Sequence, residues 1–107
     1  MSDSEETDDT RDMLTRIRDD LKNLAFTAVI SEAMVAQERY GDFASMHEAY
    51  GVLAEEVAEL FDGVRMQQDQ SHAAPPWSAR ALRIRSEAIQ VAAVAMRIAE
   101  QAGRVVR

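Results

Sequence analysis

The sequence predicts an all-α fold, an antiparallel bundle of three long helices completed by oligomerisation. Three observations carry that expectation. The hydrophobic share of the 107 residues is 47% with only 6% aromatics, so the apolar material is mainly Ala, Val, Leu, Ile and Met, which packs readily between helices. Three segments repeat apolar residues at three- and four-residue steps, the period of a helix burying one stripe. Two interruptions separate them, one around Gly41 and one at Pro75-Pro76. A chain of this length forms one compact domain and buries a modest share of its surface. A stripe that it leaves uncovered is met most simply by further copies, as a homodimer or homotetramer.

The first twelve residues hold six acids (Asp3, Glu5, Glu6, Asp8, Asp9, Asp12) against Arg11 alone, so they carry -5 of the total charge of -7. Such a block cannot bury apolar surface, and 1–12 is expected to be a disordered acidic tail ahead of a domain over 13–107. In that domain Met13, Ile17, Leu21, Leu24 and Ala28 mark a helix from Met13 to about Gln37. Gly41 supplies a left-handed stop, and Ser45 followed by Glu48 has the form of a capping box opening a second helix, about Met46 to Gln68. Polar residues Gln67 to His72 and the two prolines end its periodicity. Ser78 caps a third helix from Ala79 to about Ala102, with Gly103 as its stop and Arg104 suited to the negative helix end. No internal repeat is visible.

The chain has no cysteine, which excludes disulfides, thiolate zinc sites and cysteine nucleophiles. The N-terminal residues form no leader with a basic start and apolar core, and no run approaches the roughly 20 apolar residues of a membrane span, so the expected location is cytoplasmic, without membrane partners. The acidic tail disfavours nucleic acid as a partner. Gly41, Gly51, Gly63 and Gly103 form no phosphate-cradling loop, so any nucleotide must be held by metal and side chains. His47 and His72 lack the spacing of a shared zinc site. Trp77, after two prolines, reads as a loop anchor rather than a base-stacking group.

The acids of the second helix are more informative. Its stripe is Met46, Tyr50, Leu53, Val57, Leu60 and Val64, and at about 100° per residue Glu48, Glu55 and Asp62 fall on the opposite side. Glu56 and Glu59 lie roughly 60° and 120° from Leu53, at the stripe's edge beside Ala49, Val52 and Gly63. The third helix has two stripes, Ile84-Val91-Val94-Ile98 and Leu82-Ile89-Ala93-Met96, so it is buried on two faces. Glu87 falls inside the first stripe and Gln90 at its edge. A carboxylate there requires a partner. That partner is either a cation or Arg83, four residues earlier. If the second and third helices pack antiparallel, Glu56 and Glu59 face Glu87 and Gln90, and the four oxygen-bearing side chains can hold one Mg²⁺ or a close pair.

The segment Ser45 to Leu60, with Glu55-Glu56-Val57-Ala58-Glu59 at its centre, resembles the EExxE motif of MazG-like proteins. Glu87-Ala88-Ile89-Gln90 resembles that family's second motif, ExxD. The likeness spans residues 45 to 100 and depends on both motifs occurring in order on consecutive helices. It implies an all-α nucleoside triphosphate pyrophosphohydrolase, dimeric or larger, that cleaves an NTP or dNTP between the α- and β-phosphates with Mg²⁺, for which Mn²⁺ can substitute. Carried over position by position, Glu56, Glu59 and Glu87 match metal-binding glutamates. Glu55 matches the remaining glutamate, which orients a ligand or, with Glu56, helps activate water. Gln90 stands where the family has Asp, an amide oxygen without charge. Arg83 and Arg97, on the same side of the third helix as Glu87, and Arg65, beyond the first acidic group, are candidates to hold phosphates. Solvated or salt-bridged surface arginines are the alternative for each. Gln90 also motivates a second function class, a non-catalytic helical oligomerisation or interaction module on the same scaffold.

Overall fold

In a computed structural model of the chain, residues 3–68 and 78–105 are described, with side chains for 8–65 and 78–104. They form three helices and, among the described residues, no strand: α1 (Asp3–Tyr40), α2 (Met46–Gln68) and α3 (Ala79–Val105). His72, Pro75, Pro76 and Trp77 lie outside the described residues. None of the described helices is long and apolar enough to cross a membrane.

The local signals act where the sequence placed them. Gly41 has φ 71°, and its N–H donates to the Gln37 carbonyl at 2.8 Å, the left-handed closure that ends α1. Ser45 Oγ accepts from the Glu48 N–H at 3.0 Å, and Glu48 Oε2 accepts from the Ala44 N–H at 3.1 Å, which together cap α2. Ser78 Oγ accepts from the Ala81 N–H at 3.2 Å, capping α3. Two boundaries differ. The helix is continuous from Asp3 rather than starting at Met13, because nothing in the acidic block removes a backbone donor or forces a turn. At the other end α3 runs through Gly103 to Val105, and Arg104 Nη2 binds Asp42 Oδ1 at 2.8 Å, anchoring that final turn.

α3 is the shared support. Both α1 and α2 pack on it, and α1 and α2 do not pack on each other. Small residues permit close approach, with Ala33 of α1, Ala49 of α2 and Ala93 of α3 all 4% exposed or less. Ala49, near the start of α2, joins Phe43 and Val94 in the core, with Val52, Leu53 and Ile98 packed against them. At the other end of α2, Gly63 lies against Ile84, whose Cγ1 is 3.5 Å from where a Cβ would stand.

The connection between α1 and α2 is fixed by side chains of α3. Gln101 pairs with the backbone of Phe43, accepting from its N–H at 2.9 Å and donating to its carbonyl at 2.9 Å. Arg97 donates to the Gly41 carbonyl at 2.9 Å and to Gln37 Oε1 at 3.3 Å, and its guanidinium stacks 4.4 Å from the centre of the Phe43 ring.

The expected stripes are partly redirected. On α2 the buried positions are Ala49 and Gly63, with Glu56 half-buried midway between them. Tyr50 is 70% exposed and Val57 46%. The helix is thus rotated so that its small residues face α3, since a glycine and an alanine let the axes approach more closely than the larger stripe would. On α1, the stripe Met13, Ile17, Leu21 and Leu24 is exposed, because this half of the helix extends beyond the part of α3 that packs against it. No large side chain is fully buried among the described residues.

Candidate metal centre

Glu56 and Glu59 stand on consecutive turns of α2, with Glu87 across from them on α3. The register that sets Ala49 and Leu53 against the late part of α3, and Gly63 against Ile84, brings Glu59 level with Glu87 and Glu56 level with Gln90. One carboxylate oxygen from each of Glu56, Glu59 and Glu87 lies within 4.8 Å of the other two. In an octahedral Mg²⁺ shell with bonds of about 2.1 Å, opposite ligands stand about 4.2 Å apart. Neighbouring ligands stand closer still, about 3 Å apart, so the three oxygens would have to draw together to share one ion. The donor set also suits a hard cation, being all carboxylate with an amide beside it.

The electrostatics point the same way. The Glu56 carboxyl is held above the ordinary carboxylate range, first by burial, then by the charges of Glu59, Glu87 and Glu55, and by a hydrogen bond with Glu59. The ion pairs Arg65–Asp62 at 3.4 Å and Arg104–Asp42 at 2.8 Å lie outside this group.

The other expected site residues divide. Gln90 is half-buried and lines a cleft together with Glu56. Glu55 is exposed and outside the three-carboxylate group, since neighbouring residues on a helix diverge by about 100° and Glu56 takes the inward direction. Arg65 is exposed and engaged with Asp62. Arg83 is exposed one turn before Glu87. Arg97 is only 6% exposed, with its guanidinium occupied by Gln37, Gly41 and the Phe43 ring, so it acts first as a structural clamp.

Glu32 of α1 was not among the expected residues. It is half-buried and lines the same cleft as Glu56 and Gln90. The signal existed, because Glu32 is the one charged residue between Lys22 and Glu38.

The raised pKa of Glu56 has a consequence for stability. The metal-free folded chain holds this proton more tightly than the unfolded chain, so stability is greatest below the ordinary carboxylate range and falls as pH rises towards the raised value. Glu56→Gln is expected to remove that decline and to leave the metal-free protein about 0.5 kcal/mol more stable at neutral pH. Mn²⁺, which binds the deprotonated cluster, should stabilise the parent increasingly as pH rises and the variant hardly at all. Thermal melts across the carboxylate range with and without Mn²⁺ test this. A Glu56→Gln protein less stable than the parent at every pH without metal would refute the repulsion.

Compared with protein-family models, with curated proteins and with solved structures, the chain matches none.

Proposed function

We propose that this protein is a Mg²⁺-dependent nucleoside triphosphate pyrophosphohydrolase of the MazG-like kind, releasing pyrophosphate from an NTP or dNTP in nucleotide-pool control. The observation that carries this reading is the meeting of Glu56, Glu59 and Glu87 within 4.8 Å, in the EExxE and Exx(D) order that resembles that family. A bound divalent ion would neutralise phosphate oxygens and lower the pKa of an attacking water. The three carboxylates hold it from two helices, and Gln90 offers an amide oxygen at the same level as Glu56. Glu56 is half-buried and faces the cleft, and in this reading it helps activate the attacking water. Arg83, one turn before Glu87 on α3, is a candidate to meet a phosphate.

The antiparallel bundle is, in this reading, completed by further copies. Large apolar side chains stand open on two helices, Leu21, Leu24 and Phe26 on α1 and Tyr50, Val57 and Phe61 on α2, each at least 46% exposed, and a second copy would cover them most simply. Two measurements test the proposal together. Light scattering is expected to give a dimer or tetramer, and pyrophosphate release is expected from at least one member of a panel of NTPs and dNTPs with Mg²⁺. A stable monomer would sink the assembly. Absence of turnover with the whole panel under Mg²⁺ and Mn²⁺ would sink the enzyme and favour the interaction module.

A further inference from the structure

A cleft of about 410 Å³ opens between α1 and α2 over α3, within the range of about 300–1,000 Å³ typical of small-molecule sites. It is continuous with the carboxylate group, because Glu56 and Gln90 belong to its lining. Val52, Ala93 and Val94 give it an apolar surface, which suits a largely apolar body.

Most polar groups around it already have partners. Asp42 is bound by Arg104 and Gln37, Glu48 by the Ala44 N–H, and Arg97 by Gln37 and Gly41. Glu32 is different, since its half-buried carboxylate lines the cleft and takes part in none of the hydrogen bonds or ion pairs found among the described residues. A carboxylate only accepts hydrogen bonds, and it repels a carbonyl oxygen set against it.

We propose that this cleft takes the nucleoside of the bound nucleotide and that Glu32 selects bases carrying an exocyclic amine, namely cytosine, adenine and guanine, over uracil and thymine. The inference rests on the nucleotide reading above and adds its base preference. An amino group presents N–H donors to Glu32, and guanine presents two adjacent donors. Cytosine and adenine set their amine donors beside unprotonated ring nitrogens, whereas uracil and thymine offer only one ring N–H hemmed between two carbonyl oxygens, so the carboxylate has more donors and less carbonyl repulsion to meet on the amine-bearing bases. Gln90, which can both donate and accept, tolerates either edge and leaves the discrimination to Glu32.

The test is calorimetric binding of α,β-methylene analogues of dCTP, dATP, dGTP, dTTP and dUTP to the full chain with Mn²⁺, for the parent and Glu32→Gln. The isosteric change sits on a helix and leaves the fold intact, which circular dichroism checks. The parent is expected to bind the three amino-bearing analogues at least about tenfold more tightly than the other two. Glu32→Gln is expected to bring all five within about threefold, with unchanged affinity for Mn²⁺ alone. Equal binding of the five by the parent, a preference that survives Glu32→Gln, or no binding of any analogue overturns the proposal. Pyrophosphate release is measured separately with the hydrolysable nucleotides. Turnover without base preference overturns the role of Glu32 alone, whereas base-selective binding without turnover upholds that role and overturns the hydrolase.

Discussion

Replacing Glu59 with alanine is expected to reduce Mg²⁺-dependent pyrophosphate release on the order of 10³-fold, while the protein stays folded. Losing one of three carboxylate ligands removes several kcal/mol of charge stabilisation from a centre of this kind, and each 1.36 kcal/mol is about tenfold in rate. Glu59 is exposed on α2 and alanine is the best helix former, so the helical signal and the melting temperature should be unchanged or slightly raised. Glu56→Gln and Glu87→Gln should act in the same way, because all three contribute an oxygen to one cluster. Glu55→Ala, one position away but outside it, should have a smaller effect than any of them. Steady-state kinetics with Mg²⁺ titration make the comparison. Equal losses at Glu55 and Glu59 would show that the sequence motif matters in a way the cluster does not explain. An interaction module, by contrast, would keep its partner in every one of these variants.

Arg97→Ala is expected to have the largest effect on stability, a loss of about 3 kcal/mol. Arg97 is 6% exposed, and its guanidinium donates to Gly41 and Gln37 and stacks on Phe43. Removing it leaves the half-buried Gly41 carbonyl without that donor, ends the ring contact and opens space beside the small core. In a domain of this size the change corresponds to a fall in melting temperature of about 12–20 °C. Arg97→Lys keeps the charge but not the fork and should recover less than half of the loss. Arg65→Ala breaks an exposed pair and should cost less than about 0.5 kcal/mol. Denaturant and thermal unfolding of the three variants test the ranking. If Arg97→Ala weakened nucleotide binding while leaving stability within about 0.5 kcal/mol of the parent, Arg97 would be a phosphate ligand rather than a clamp.

The contrast among the arginines shows what could not be inferred along the chain. Arg83 and Arg97 stand on the same side of α3 by helical projection, and both fit a phosphate-holding role equally well in one dimension. Burial distinguishes them, and burial of Arg97 follows from the turn at Gly41 folding back over α3. The same holds for α2. Its large apolar residues define the obvious stripe, yet Ala49 and Gly63 face the core, because close packing rewards the helix faces with the least bulk. That rotation moves Glu56 from the edge of the stripe into the interface, while Glu55 stays exposed, as its projection away from the stripe implies.

By itself the sequence determined the all-α class, the three helices, the turn at Gly41 and the caps at Ser45 and Ser78. These rest on hydrogen bonds and steric preferences that act within three or four residues, and such signals survive in any compact arrangement. It also marked Glu87, since an acid inside an apolar stripe is unusual whatever packs against it. Only the tertiary structure decided that Glu56 and Glu59 meet Glu87, that Glu32 shares their cleft, and that Arg97 is spent on Gly41 and Phe43. Those outcomes depend on the rotation and register of helices whose contacting residues lie tens of positions apart, and a shift of one residue in register would turn each side chain by about 100° and disperse the site.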